Sequence, residues 1–185
     1  VAKTPSNMVD LGSAAPDFRL QNVVTGGYSS LEDFHSEKGT VIMFICNHCP
    51  FVIHVEDQLI QLAQDYSKKG FQFVAISSND VANYPEDSPE KMKERAHTNH
   101  YPFAYLYDET QEVAKAYHAA CTPDFFVYDP ALKLVYRGQL DGSRPGNDIP
   151  VTGKDLRQAL DCLDTGQPIP QSQTPSLGCN IKWKE

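Results

Sequence analysis

At 185 residues, with 41% hydrophobic and 22% charged residues, the chain can bury one core and lacks the composition of a disordered protein. A formal net charge of −8, with no basic stretch carrying interleaved aromatics, argues against nucleic acid or an anionic membrane surface as a partner. The longest apolar run, Val41 to Cys46, is too short to span a bilayer, and Val1 to Asp10 shows no charged-then-apolar leader. Five scattered cysteines are too few for a disulfide scaffold, and their odd number leaves one thiol free or paired between chains. That usage points to a reducing, cytoplasmic setting; the oligomeric state is not legible.

Residues 1 to 35 hold Gly, Ser and short alternating pieces such as Asp17-Phe18-Arg19-Leu20, which predict an N-terminal hairpin. Val41 to Ile45 is a continuous apolar run, as in a central strand buried on both faces. After Cys49 and Pro50, residues Val52, Val55, Leu59, Leu62 and Tyr66 recur at helical spacing, and Gly70 follows a helix ending near Lys69. Phe71 to Ile76 reads as the next strand. Ser88-Pro89-Glu90 gives an N-cap, a first-turn proline and an acid near the positive end of a helix that stops before Tyr101-Pro102. Phe103 to Tyr107 is strand-like, and Val113, Tyr117 and Ala120 mark a short helix. Asp124 to Tyr128 and Leu132 to Arg137 flank the turn signal Asp129-Pro130 and predict a hairpin. Thr152 and Asp155 are spaced as a capping box for a helix with the stripe Leu156, Leu160, Leu163, ended by Gly166. The order from Val41 is β-α-β-α-β-α-β-β-α, an α/β sheet flanked by helices. Residues 1–166 are expected to form the domain, and 167–185, with Pro168, Pro170 and Pro175, an extended tail over the surface.

Cys46-Asn47-His48-Cys49 stands between the buried strand and the first long helix. Unpaired N–H groups and the positive dipole end at a helix start stabilise thiolate over thiol. The second cysteine is close enough to attack a mixed disulfide at the first, and a protonated His48 would favour the Cys46 thiolate further. The spacing therefore predicts a thiol–disulfide enzyme needing no cofactor, with Cys46 attacking, Cys49 resolving, and protein or small-molecule thiols and disulfides as partners. Zinc or copper held by Cys46, Cys49 and His48 or His54 is the alternative use of the same sulfurs, although no second Cys-x-x-Cys completes a ligand set. Two packed apolar cysteines are the plain structural alternative.

Cys121-Thr122-Pro123-Asp124 lies directly before a strand, and with the upstream motif it makes the chain resemble the thioredoxin superfamily. That resemblance implies a cis-proline at Pro123 which, with Thr122, packs against the Cys-x-x-Cys and binds substrate backbone. More narrowly, Ala15-Pro16-Asp17-Phe18-Arg19-Leu20, Ser30-Leu31-Glu32-Asp33-Phe34 and the helix-plus-strand insertion at 88–107 resemble the peroxiredoxin-like AhpC/TSA, or redoxin, branch. Arg137-Gly138-Gln139, Ser143-Arg144-Pro145-Gly146-Asn147 and Gly178-Cys179-Asn180-Ile181-Lys182-Trp183 extend the likeness to the end of the chain.

Peroxiredoxins carry Pro-x-x-x-Thr-x-x-Cys. Aligned on Cys49, the threonine position holds Cys46 and the proline position Ile42, and Thr122-Pro123 stands where the activating arginine is expected. A peroxide bond needs hydroxyl and cationic donors for its developing negative oxygen, so thiol peroxidase activity is the weaker alternative, with Arg144 the one candidate replacement. Cys121 is expected near the Cys46–Cys49 pair as a packed residue or third thiol, Cys162 in the core, and Cys179 as a resolving thiol if the tail folds back. Asp65 with Lys69, and Lys91 with Arg95, read as exposed helix charges.

Overall fold

The computed structural model describes residues 3–185. Strands β1 (Lys3–Pro5), β2 (Arg19–Asn22) and β3 (Tyr28–Ser30) come first, β2 and β3 forming the expected N-terminal hairpin. Then come β4 (Thr40–Phe44), α1 (Pro50–Ser67), β5 (Gln72–Ser77), α2 (Pro89–Thr98), β6 (Ala104–Tyr107) and α3 (Glu112–Ala116). The two-residue β7 (Cys121–Thr122), β8 (Asp124–Tyr128), β9 (Leu134–Gly138), α4 (Lys154–Thr165) and β10 (Leu177–Asn180) complete the chain. The order expected from Val41 stands, with two short strands added.

Seven strands form one mixed sheet in the order β3-β2-β6-β5-β4-β8-β9, in which β4, β5 and β6 are parallel and the outer pairs antiparallel. Both faces of β4 are covered, which is why its sequence is continuously apolar. Val41, Met43 and Ile45 meet Val55, Leu59 and Leu62 of α1, Met92 of α2 and Leu156 and Leu160 of α4. Ile42 and Phe44 face the other way, with Phe18, Leu31, Phe34, Val113 and Tyr117. This is the thioredoxin-like α/β fold.

The tail is extended and largely exposed over residues 167–174, as expected, but from Ser176 to Ile181 it is drawn inward. Strand β10 runs between β1 and β7 as the middle of a second, three-stranded sheet, with Cys179 opposite Thr122. Two glycines permit its close approach: a Cβ on Gly178 would stand 2.1 Å from the Thr122 carbonyl oxygen, and one on Gly138, at φ +135°, 2.1 Å from that of Thr174.

Several local expectations change in the folded chain. Thr152 and Asp155 do not form a capping box. Gly153 is the N-cap of α4, and the Asp141 carboxylate accepts from Thr152 N and Gly153 N at 2.8 and 2.7 Å, while Asp155 accepts from Gln139. Of the charges read as exposed helix residues, Lys91 stays exposed and pairs with Glu94 on its own helix, while the other three bind other elements. Asp65 pairs with Arg157, Lys69 with Asp161, and Arg95 bidentately with the buried Glu56, joining α2 to α1. Cys162 is half-buried rather than in the core.

One buried charge makes stability depend on pH. Asp124 is fully buried, accepting from Ser6 Oγ at 2.8 Å and Ala120 N at 3.3 Å, and burial pushes its carboxyl up to about 7. An unfolded Asp titrates near ~3.9, so above that pH the folded chain holds a proton that the unfolded chain has lost. Stability from this residue is therefore full below about 4 and lost as pH rises to about 7. Asp124→Asn should match wild type in denaturant melts at acid pH and exceed it by on the order of 1–3 kcal/mol at pH 8. Equal stability of the two proteins across that range would contradict this account.

Candidate active site

Beyond β4, Ile45 N donates to the Ile76 carbonyl, so the chain leaves the sheet at Cys46. Cys49 is the N-cap of α1 and Pro50 its first residue, where a missing N–H costs nothing. Between them the turn is pinned from the segment before α2: Asn47 N donates to Asp87 Oδ1 at 2.8 Å, and Asn47 Nδ2 to the Glu86 carbonyl at 2.9 Å. Tyr105 OH donates to Asn47 Oδ1 at 2.9 Å. The Thr122–Pro123 bond opposite is cis.

Three sulfurs meet at Thr122. Cys46 Sγ lies 3.6 Å from Thr122 Oγ1, Cys49 Sγ lies 3.4 Å from the Thr122 carbonyl oxygen, and Cys179 is the strand partner of Thr122. Cys49 is bonded to Cys179, not to Cys46, whose thiol is free. Burial, and then the Asp87 charge, push the Cys46 thiol up to about 11, against the Thr122 hydroxyl and the N–H groups of His48 and Cys49, which favour the thiolate. The N–H groups at the helix start thus act in the expected direction, whereas the Thr122 hydroxyl, the burial and the Asp87 charge lay outside the sequence expectation. Cys46 and Cys49 are both buried, at 1% and 0% exposure.

Cys121 points to the opposite side of β7 from Thr122. Burial and Asp124 raise its thiol, and Ser6, Ser176 and Arg144 are its other polar neighbours. Arg144 donates to the carbonyls of Asp141 and Ser143 and to Gln139 Oε1. His54 is remote from the sulfurs in its bonding: the Ser143 hydroxyl donates to the Ile149 carbonyl and accepts from His54 Nε2 at 2.7 Å.

His48 stays by Cys46. Its Nδ1 stands 2.7 Å from Oδ2 of the fully buried Asp87, in ion-pair range though not aligned as a hydrogen bond, and its ring stacks on Tyr84. Cys46 Sγ, a His48 ring nitrogen and an Asp87 oxygen all lie within 4.8 Å of one another. Two atoms ligating one tetrahedral ion at ~2.0 Å would be about 3.3 Å apart, so the closer His48–Asp87 contact suits a charge pair better than a metal-bridged one. Sequence reasoning missed Asp87, Tyr84 and Asn79, whose Nδ2 donates to Asp87 Oδ2. The local pattern carried only the cap signal at Ser88, and no spacing rule ties an acid to a turn forty residues earlier.

The mixed sheet, the cysteine at the start of α1 and the cis-proline opposite it define a protein of the thioredoxin-like redox class. The chain belongs to the AhpC/TSA family, whose model matches residues 11–137. It is similar over its full length to a solved uncharacterized conserved protein from Geobacillus kaustophilus, with 62% identity, 100% of this chain and 97% of that one covered, and a TM-score of 0.98. A hypothetical protein from Sinorhizobium meliloti 1021 is 45% identical, with 98% of each chain covered and a TM-score of 0.95. The thioredoxin domain of a thiol-disulfide oxidoreductase from Bacteroides vulgatus shares the fold at 19% identity, with 71% of this chain and 89% of that one covered and a TM-score of 0.60. A search of curated proteins found no match. No helix among the described residues is long and apolar enough to cross a membrane.

Proposed function

We propose that the chain is a thiol–disulfide oxidoreductase that uses the Cys46–Cys49 dithiol, with Cys179 as a third, internal exchange partner. The supporting observation is the convergence of the three sulfurs on Thr122, beside the cis-Pro123. A Cys46 thiolate attacking Cys49 Sγ forms the Cys46–Cys49 bond and expels Cys179 as a thiolate, which takes up a proton. The reverse step restores the Cys49–Cys179 bond, so an oxidising equivalent can pass between substrate and tail without leaving the site. Thr122 is paired with Cys179 of β10, so a substrate's extended backbone would meet Thr122 and Pro123 in place of that tail strand. Protein or small-molecule disulfides as partners, and a cytoplasmic location, accompany this reading.

Thiol peroxidase chemistry has weaker support. Cys46 stands in place of the hydroxyl donor, and the Arg144 guanidinium is committed to loop acceptors.

Wild-type protein supplied with a dithiol reductant should turn over an insulin-type disulfide. Peptide mapping of partly oxidised protein should recover both the Cys49–Cys179 and the Cys46–Cys49 linkage. Recovery of Cys49–Cys179 alone, with no turnover, would leave that bond a purely structural one and end the proposal.

A further inference from the structure

We propose that His48, oriented by Asp87, is the proton acceptor for Cys46. The inference deepens the oxidoreductase reading and rests on it. Asp87 reaches the site from the segment preceding α2, and it is fixed as well as buried. Its Oδ1 accepts from Asn47 N at 2.8 Å and its Oδ2 from Asn79 Nδ2 at 2.9 Å, with His48 Nδ1 at 2.7 Å from the same Oδ2. Tyr84 fixes the plane of the imidazole, its ring centroid 5.8 Å away and the two planes 7° apart.

The charge logic singles out this role. A buried carboxylate beside a thiol opposes thiolate formation and by itself harms a reactive cysteine. Its presence becomes an advantage when a base within 4.8 Å of both takes the proton, because the carboxylate then faces an imidazolium. Cys46 needs such an acceptor, since burial and Asp87 leave its thiol protonated at neutral pH. The other ionisable groups facing the pair are Glu86, with Oε1 3.8 Å from His48 Nδ1, Tyr84, Lys182 over the Tyr84 ring, and Tyr105 behind Asn47. Glu86 has the sign of Asp87 and supports the imidazolium.

In the step itself the proton moves from Cys46 Sγ to a His48 ring nitrogen. The sulfur's electron pair forms a bond to one sulfur of a substrate disulfide, and the other sulfur leaves as a thiolate that recovers the proton from His48. Asp87 keeps its charge throughout and is a positioning residue.

The test is the rate at which iodoacetamide labels Cys46 in the reduced full chain, read by peptide mass spectrometry from pH 6 to 10. With His48 as base, the wild-type rate reaches a plateau at a pH well below the alkaline range in which the Cys46 thiol itself ionises. His48→Gln should react about 10²-fold more slowly at pH 7 and climb about tenfold per pH unit toward the thiol's own value. Asp87→Asn should also be slower at pH 7, by about tenfold. Simple electrostatics makes the opposite forecast, because removing the Asp87 charge would speed thiolate formation. Labelling of either variant as fast as wild type or faster, or a wild-type rate that climbs with no plateau, overturns the proposal. If Asp87→Asn fails to fold, the half-buried His48→Gln and the wild-type profile still decide it. Loss of insulin turnover with this labelling profile intact would fail the oxidoreductase reading but not the base.

Discussion

Cys49→Ser is expected to lower disulfide turnover by at least about 10³-fold while leaving Cys46 able to attack, so that a Cys46–substrate mixed disulfide accumulates. Cys49 is the sulfur common to both proposed linkages. It is bonded to Cys179 and stands three residues from Cys46, with all three cysteines around Thr122. Cys46→Ser should be equally inactive for a different reason, remaining locked as Cys49–Cys179 with no mixed disulfide. Cys179→Ser should keep part of its turnover and collect as Cys46–Cys49. Non-reducing peptide maps of the three variants read these outcomes directly. Turnover by Cys46→Ser at the wild-type rate would move the attacking role to Cys49, the position that aligns with the peroxidatic cysteine of peroxiredoxins.

Reducing the Cys49–Cys179 bond should cost the folded chain about 3–5 kcal/mol, because it closes a loop spanning 130 residues and restricts the unfolded ensemble accordingly. For a chain of this length the loss corresponds to a fall in melting temperature of ~10 °C. Cys179→Ser should melt at the lower temperature with or without reductant, whereas wild type should shift between the two. Strand β10 is also held by its ladder to β1 and β7, so the reduced chain should still melt in one cooperative transition. An oxidised wild type no more stable than Cys179→Ser would mean that the tail is held by its strand pairing alone. The same measurement bears on function, since a bond that stabilises the oxidised chain also sets how strong a reductant must open it.

The sequence by itself determined the element order, the fully buried β4, the placement of Cys46 and Cys49 at the start of α1, and the proline opposite them. The first three follow from local patterning, since continuous apolar runs, helical spacing, caps and breakers act within a turn or two of the chain, whereas the proline's place opposite the cysteines came from the resemblance to the thioredoxin superfamily. The tail's proline content led to a surface strand, whereas hydrogen bonds to β1 and β7, admitted by Gly178, draw its segment from Ser176 to Ile181 inside. The sulfur bonded to Cys49 was likewise decided in three dimensions, since Cys179 is 130 residues away. Sequence spacing favoured Cys46, three residues off, but β10 carries Cys179 to the strand position opposite Thr122. The Asp87 carboxylate beside His48, and the ion pairs Arg95–Glu56 and Asp65–Arg157, join residues far apart in sequence. Charge and hydrogen bonding depend on distance in space and on burial, and neither is written into the order of residues.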